Sequence, residues 1–122
     1  VLNRKAMKED EIEKAKLFII CEIIEYIPNA VTSKTIIKKA TGVINISSFD
    51  SGESLSEGMS PFDTFIQVID GSAEVIIDKT SSMLDVGQGI VIPAHTRSSI
   101  KANIRFKMIS TVIKSGYEEI IP

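Results

Sequence analysis

Few side chains in this sequence can do chemistry, and that narrows the reading before any element is placed. There is one histidine, His95, and one cysteine, Cys21. A single imidazole excludes every site that draws two or more histidines from one chain. A single thiol excludes an internal disulfide. No Lys/His pair clearly lowers the pKa of Cys21, so it reads as a reduced, buried thiol and not a nucleophile. One imidazole with two carboxylates is a possible metal triad. The carboxylates to consider beside His95 are Glu57 and Asp63, with the Ser98 hydroxyl nearby, and such a group would require turn residues to converge. Tyr26 and Tyr117 lie far from this set along the chain. Walker loops, G-x-S-x-G elbows and C-x-x-C pairs are missing from the sequence.

The elements that must position these residues are mostly short strands. Val31 onward carries β-type runs at Thr35–Lys39 and Val43–Ile46, around Thr41-Gly42. Phe65–Ile69 and Ala73–Ile77 flank Asp70-Gly71, a dipeptide that predicts a hairpin turn with Gly71 at positive φ. Met83–Val86, Gly89–Ile92, Ser98–Lys101 and Arg105–Ile113 follow at close spacing, and Pro93 should end a strand. Many short strands with no helical pattern between them predict a sandwich or barrel and no parallel βαβ sheet. Ahead of them, Lys8–Lys16 is rich in helix formers, with Ile12, Ala15 and Ile19 at helical spacing, so a short N-terminal helix is expected before the turn at Pro28-Asn29. Residues 1–7 carry no pattern. The chain therefore divides into an N-terminal segment, 1–30, packing on a single barrel, 31–122.

The chain has 122 residues, the span of one domain. Fourteen Lys+Arg against sixteen Asp+Glu give a net charge of -2. Without a basic excess to neutralise phosphates, nucleic acid is not an expected partner. The apolar run Leu17–Cys21 is broken by Glu22, too short to cross a membrane, and no signal-peptide pattern flanks it. A cytoplasmic protein is expected.

Two blocks of this sequence resemble the paired motifs of the cupin superfamily. The first family motif runs Gly, five residues, His, one residue, His, three or four residues, Glu, six residues, Gly. Gly52 and Gly71 sit at its ends. The second runs Gly, five residues, Pro, one residue, Gly, two residues, His, three residues, Asn, and Gly87 and Pro93 match it. The stretch between the motifs, Ser72–Val86, has the length of the smallest members. The resemblance covers about Val31–Lys114. It implies an all-β fold, the double-stranded β-helix or jelly-roll barrel of RmlC-like proteins, here with the short N-terminal helix.

Carried residue by residue, the resemblance implies a degenerate metal site. The histidine positions of the first motif are Gly58 and Ser60, and its glutamate position is Thr64. The histidine of the second motif is Ser98, its asparagine is Ala102, and His95 stands where the family has Gly. Neutral hydroxyls are poor ligands for metals that imidazole suits. The resemblance thus implies a cupin without metal or other cofactor, and the family's dioxygenase and metal-isomerase chemistry does not carry over.

Strand alternation places Ser60, Thr64, Ile66 and Val68 on one inward face, with Ser98, Ile100 and Ala102, and with Phe106, Met108, Ser110 and Val112. The expected ligand pocket is Gly58, Ser60, Thr64, His95, Ser98 and Met108, mostly apolar with a few hydroxyls. It suits a small, weakly polar molecule or a packed core. Phe65 and Ile69 then face outward and need a cover, either the N-terminal segment or a second subunit. Small cupins commonly dimerise, so a homodimer is expected. The function expected is non-catalytic, through a small-molecule ligand or the dimer surface. The rival expectation is an isomerase- or lyase-like enzyme built on His95, Glu57, Asp63 and Ser98.

Overall fold

A computed structural model describes residues 11–117. Eight strands follow in order: β1 Val31–Lys39, β2 Gly42–Phe49, β3 Ser54–Met59, β4 Asp63–Ile77, β5 Thr80–Asp85, β6 Gly89–Ile92, β7 Arg97–Lys101 and β8 Phe106–Ile113. Every pairing is antiparallel, in the order β1-β2-β8-β4-β7-β3, with β5 and β6 also on β4. The result is a curled half-barrel. Among the described residues no helix is long and apolar enough to cross a membrane.

β4 is the spine of the fold. Its first half pairs with β8 and β6, and its second half pairs with β5 and β7. Asp70-Gly71 is therefore not a hairpin turn, as its local chemistry predicts, but a corner inside one continuous strand. A register shift between Val68 and Asp70 bulges the strand there, and Gly71 follows at φ 74°. A Cβ on Gly71 would lie 2.1 Å from the Arg105 carbonyl oxygen and 2.8 Å from the Phe106 Cα. Only glycine lets the two backbones approach this closely. The hairpin sits at Asp78-Lys79 instead, between the paired residues Ile77 and Thr80. Pro93 follows directly on the last residue of β6.

Phe49, Ile66, Val68, Ala73, Val75, Leu84, Ile92, Ile100, Ala102, Phe106 and Met108 form the buried core. Phe49 and Phe106 pair across β2 and β8 and stack with ring centroids 4.5 Å apart. Each such side chain contributes roughly 1.5–3 kcal/mol by leaving water.

The expected N-terminal helix is a correction. Lys8–Asp10 lie outside the described residues, and Glu11–Lys16 are not helical. Glu11 bridges to Thr35 on the edge strand, and its carboxylate accepts the Lys38 N–H at 2.8 Å. Ala15 turns at φ 66°, and only Ile20–Glu22 makes a single 3-10 turn. A helix this short has little stability of its own, and the sheet edge offers the backbone a better partner.

Residues 11–30 instead form a strap across the outer face of the sheet. One cross-strand row there runs Thr32, Ser48, Lys107, Asp70. The Thr32 hydroxyl lies 2.6 Å from that of Ser48, which donates to the Glu25 carbonyl at 2.9 Å. The Lys107 ammonium donates to the Cys21 carbonyl at 2.6 Å, and the Tyr26 hydroxyl donates to Asp70 at 2.6 Å. The Cys21 thiol donates to the Ile69 carbonyl. Beside this row Ile46 and Ile24 are buried, outside the barrel core. The strap covers the outer face at Ile69 but leaves Phe65 42% exposed.

Candidate functional site

The sheet register decides which side chains look into the barrel. The stacked Phe49 and Phe106 mark the inner face. Two-residue alternation then puts Val43, Asn45 and Ser47 of β2 on it, with Met108, Ser110 and Val112 of β8. The β4 partners of these β8 residues are Val68, Ile66 and Thr64. Burial grades along this face. β2 is half-buried from Gly42 to Asn45 and buried from Ile46 to Phe49. β8 is buried from Phe106 to Met108 and opens from Ile109 onward. One end of the half-barrel is filled with core. The other end, at Asn45, Ser110, Thr64 and Val112, is partly open.

The second half of the barrel adds Gly58 and Ser98, which are direct cross-strand partners, with Ile77 on the far side of Ser98. Ser98 is buried. Met108 lies deeper, in the core. Ser60, Asp63 at the start of β4 and the loop carrying His95 come together, but through bonds to backbone N–H groups. The His95 N–H donates to the Ser60 carbonyl at 2.6 Å, and the Ala94 N–H donates to the Asp63 carboxylate at 2.8 Å. The Ser60 hydroxyl accepts the Phe62 N–H at 3.1 Å. Asp63 and Ser60 are thus spent on loop geometry, and His95 is exposed at φ 62°. Glu57 is the extra residue of a bulge between Ser56 and Gly58.

The fold implies a metal, so the donors need a test against one. The four motif positions offer no donor at Gly58 and neutral hydroxyls at Ser60, Thr64 and Ser98. Gly58 also sits at φ 71°, where a histidine would be strained despite open space. Among the described residues no three His, Cys, Asp or Glu side chains gather as a metal-binding group. These donors do not fit a transition metal.

Two inward polar residues, Asn45 and Ser47, are missing from the expected pocket; Asn45 lies within the β-type run Val43–Ile46 and Ser47 just beyond it. The available signal was their alternation with Val43 and Phe49. Ser47 also lies 2.9 Å from the Ser33 hydroxyl of β1. With Asn45 included, the open end carries an amide and several hydroxyls, while Ser47 lies in the buried part of β2. None of the side chains named on it is ionisable.

No family model matches the chain, and no curated protein does. Solved structures do. A conserved protein of unknown function from Streptococcus pyogenes aligns with a TM-score of 0.81 at 28% identity, over 85% of this chain and 91% of that one. A cupin superfamily protein from Desulfitobacterium hafniense aligns at 0.80 and 26% identity, over 85% and 95%. A cupin 2 conserved barrel domain protein from Leptotrichia buccalis aligns at 0.76 and 30% identity, over 80% of this chain but 47% of that one. The architecture is the cupin jelly roll, and the chain is similar in fold to these small cupins.

Proposed function

We propose that this jelly roll is a metal-free, non-catalytic binding protein whose ligand is a small, uncharged, hydrogen-bonding molecule seated on the open end of the concave face. The observation that carries the reading is the lining of that end. Asn45, Ser110, Thr64 and Ser98 supply donors and acceptors, Val43 and Val112 supply apolar walls, and none of these six side chains is ionisable. A buried charge on the ligand would find no counter-ion among these six side chains, which favours a neutral ligand. The test is a melting-temperature screen against neutral polyols, amides and small heterocycles, with Ser110→Phe as the blocked variant. A ligand of the native state raises the melting temperature. The wild type should respond to at least one neutral compound and Ser110→Phe should not. A response confined to charged compounds, or one that Ser110→Phe keeps in full, overturns the reading.

A second reading, a homodimer, is favoured by one observation. Beyond the strap, the outer face keeps Phe65 at 42%, Val91 at 56%, Ile113 at 50% and Ile37 at 38% exposure. Phe65 and Val91 are cross-strand partners, as are Ile37 and Ile44. Such a strip suits a second copy of the chain. Sedimentation of wild type and Phe65→Lys tests it, with a dimer expected for the first and a monomer for the second. The lone Cys21, which leaves no internal disulfide, is the support for a cytoplasmic location.

A further inference from the structure

A recess of about 570 Å³ opens at the filled end of the half-barrel, away from the open concave end. Its walls are Tyr26 of the strap, Asp50 and Ser51 after β2, Asp70 and Gly71 at the β4 corner, and Ile104 and Arg105 before β8. Three of these groups are charged, and their commitments differ. Asp70 accepts the Tyr26 hydroxyl at 2.6 Å and is the cross-strand partner of Lys107. Lys107 in turn lies 4.9 Å from the Tyr26 ring centre. Asp70 is therefore already answered by the Tyr26 hydroxyl, while the Lys107 ammonium is spent on the Cys21 carbonyl.

Asp50 and Arg105 lie close enough for the Arg105 charge, after the backbone donors of Asn29 and Ser51, to lower the Asp50 pKa, yet no ion pair closes between them. The Arg105 guanidinium carbon lies over the Tyr26 ring, 4.5 Å from its centre. This placement leaves its edge N–H groups free to donate. Among the described residues no carboxylate comes within the 4.0 Å of an ion pair with it. Asp50 accepts the Asn29 N–H at 2.7 Å, which anchors the carboxylate and leaves further acceptor capacity. Backbone donors from Asn29 and Ser51 hold its carboxyl below the usual range, so it is anionic at neutral pH. A fixed cation and a fixed anion thus line one recess without closing on each other. Ile104, 55% exposed, adds an apolar rim.

We propose that this recess binds a small zwitterion of the α-amino-acid type, its carboxylate on Arg105 and its ammonium on Asp50. A simple anion would meet two aspartates, and a simple cation would meet Arg105. A molecule carrying both charges answers each, and an aliphatic side chain would rest on Ile104.

The experiment uses L-valine and L-serine as probes, each with its N-acetyl and amide derivatives, followed by titration calorimetry and by backbone amide NMR shifts. The N-acetyl form lacks the cation and the amide lacks the anion. At least one free amino acid should bind with a Kd below about 10 mM, and its addition should move the amide signals of Ser51, Gly71 and Arg105. Both blocked forms should bind about tenfold more weakly or worse, because each loses a charge-assisted hydrogen bond. Arg105→Gln, an exposed change, should weaken the free amino acid and erase its advantage over the amide. Failure of both amino acids to bind the folded wild type, or blocked forms that bind as well, overturns the proposal. So does a shift pattern centred on Asn45 and Ser110.

Discussion

Replacing Gly71 with alanine tests the corner on which the whole barrel turns. Two costs add. The residue sits at φ 74°, where an L side chain costs about 1–2 kcal/mol. Its Cβ would also stand 2.1 Å from the Arg105 carbonyl oxygen, with Phe106 Cα at 2.8 Å. Both are backbone atoms of the β8 entry, so no side chain can swing aside. Relief requires β4 and β8 to separate at the corner, and overpacking of this kind costs roughly 1–3 kcal/mol. The sum is about 2–5 kcal/mol, a large share of the 5–15 or so that holds a typical domain. Gly58 is the control. Its φ is 71°, and a Cβ there meets nothing within 4 Å. Gly58→Ala should cost only the backbone part, about 1–2 kcal/mol. Urea unfolding followed by circular dichroism reads both, and with a slope of about 1–3 kcal/mol per molar the two midpoints should stand about 1 M apart. If Gly71→Ala and Gly58→Ala fall within about 1 kcal/mol of each other, the close approach of β4 and β8 is not what Gly71 serves.

The strap and the titrating groups give further tests. Lys107→Met keeps the volume but leaves the Cys21 carbonyl without its donor, at a cost of about 1–3 kcal/mol. Amide exchange in Cys21–Tyr26 should then speed up while β4 stays protected, and unchanged exchange in the strap would count against its anchoring by Lys107. Burial, then the hydrogen bond to Asp70 and that carboxylate's charge, push the Tyr26 phenol above its ordinary 10.0. A phenol that keeps its proton longer when folded adds stability that is complete below pH 10.0 and lost as pH rises through the folded value. Wild type should therefore lose its advantage over Tyr26→Phe above that pH, and parallel alkaline curves would refute the assignment. Asp50 works in the opposite sense. Its carboxyl is held below 3.8, so its contribution is present above that pH and is lost on acidification through the folded value. Asp50→Asn should be less steeply destabilised by acid than wild type in denaturant midpoints.

Much of the barrel is legible in the sequence because strand alternation is a local signal. Ile66, Val68, Ile100, Phe106 and Met108 alternate with outward residues, and these five are buried. Three features resist for distinct physical reasons. Asp70-Gly71 has the chemistry of a turn, and positive φ serves a bulged corner as well as a hairpin. Lys8–Lys16 has helical propensity, but Glu11 is taken by the edge of β1. The polar β3, Ser54–Met59, carries too little alternation to be seen as a strand and exists through its pairing with β7. The strap contacts join residues far apart in the chain, as Cys21 to Lys107, so no spacing rule could reveal them. That Gly58, Ser60, Thr64 and Ser98 carry no imidazole or carboxylate can be read from the motif spacing, whereas the inward direction of Asn45 depends on the β2–β8 register.

The central claim is that the interior of this jelly roll has no donor set for a metal. Calorimetric titration of the purified, chelator-treated protein with zinc, nickel and iron(II) tests it most directly. The account predicts no one-to-one binding tighter than about 1 mM for any of the three. Saturable one-to-one binding at about 1 μM or tighter, abolished by Ser98→Ala or Thr64→Ala, would contradict it.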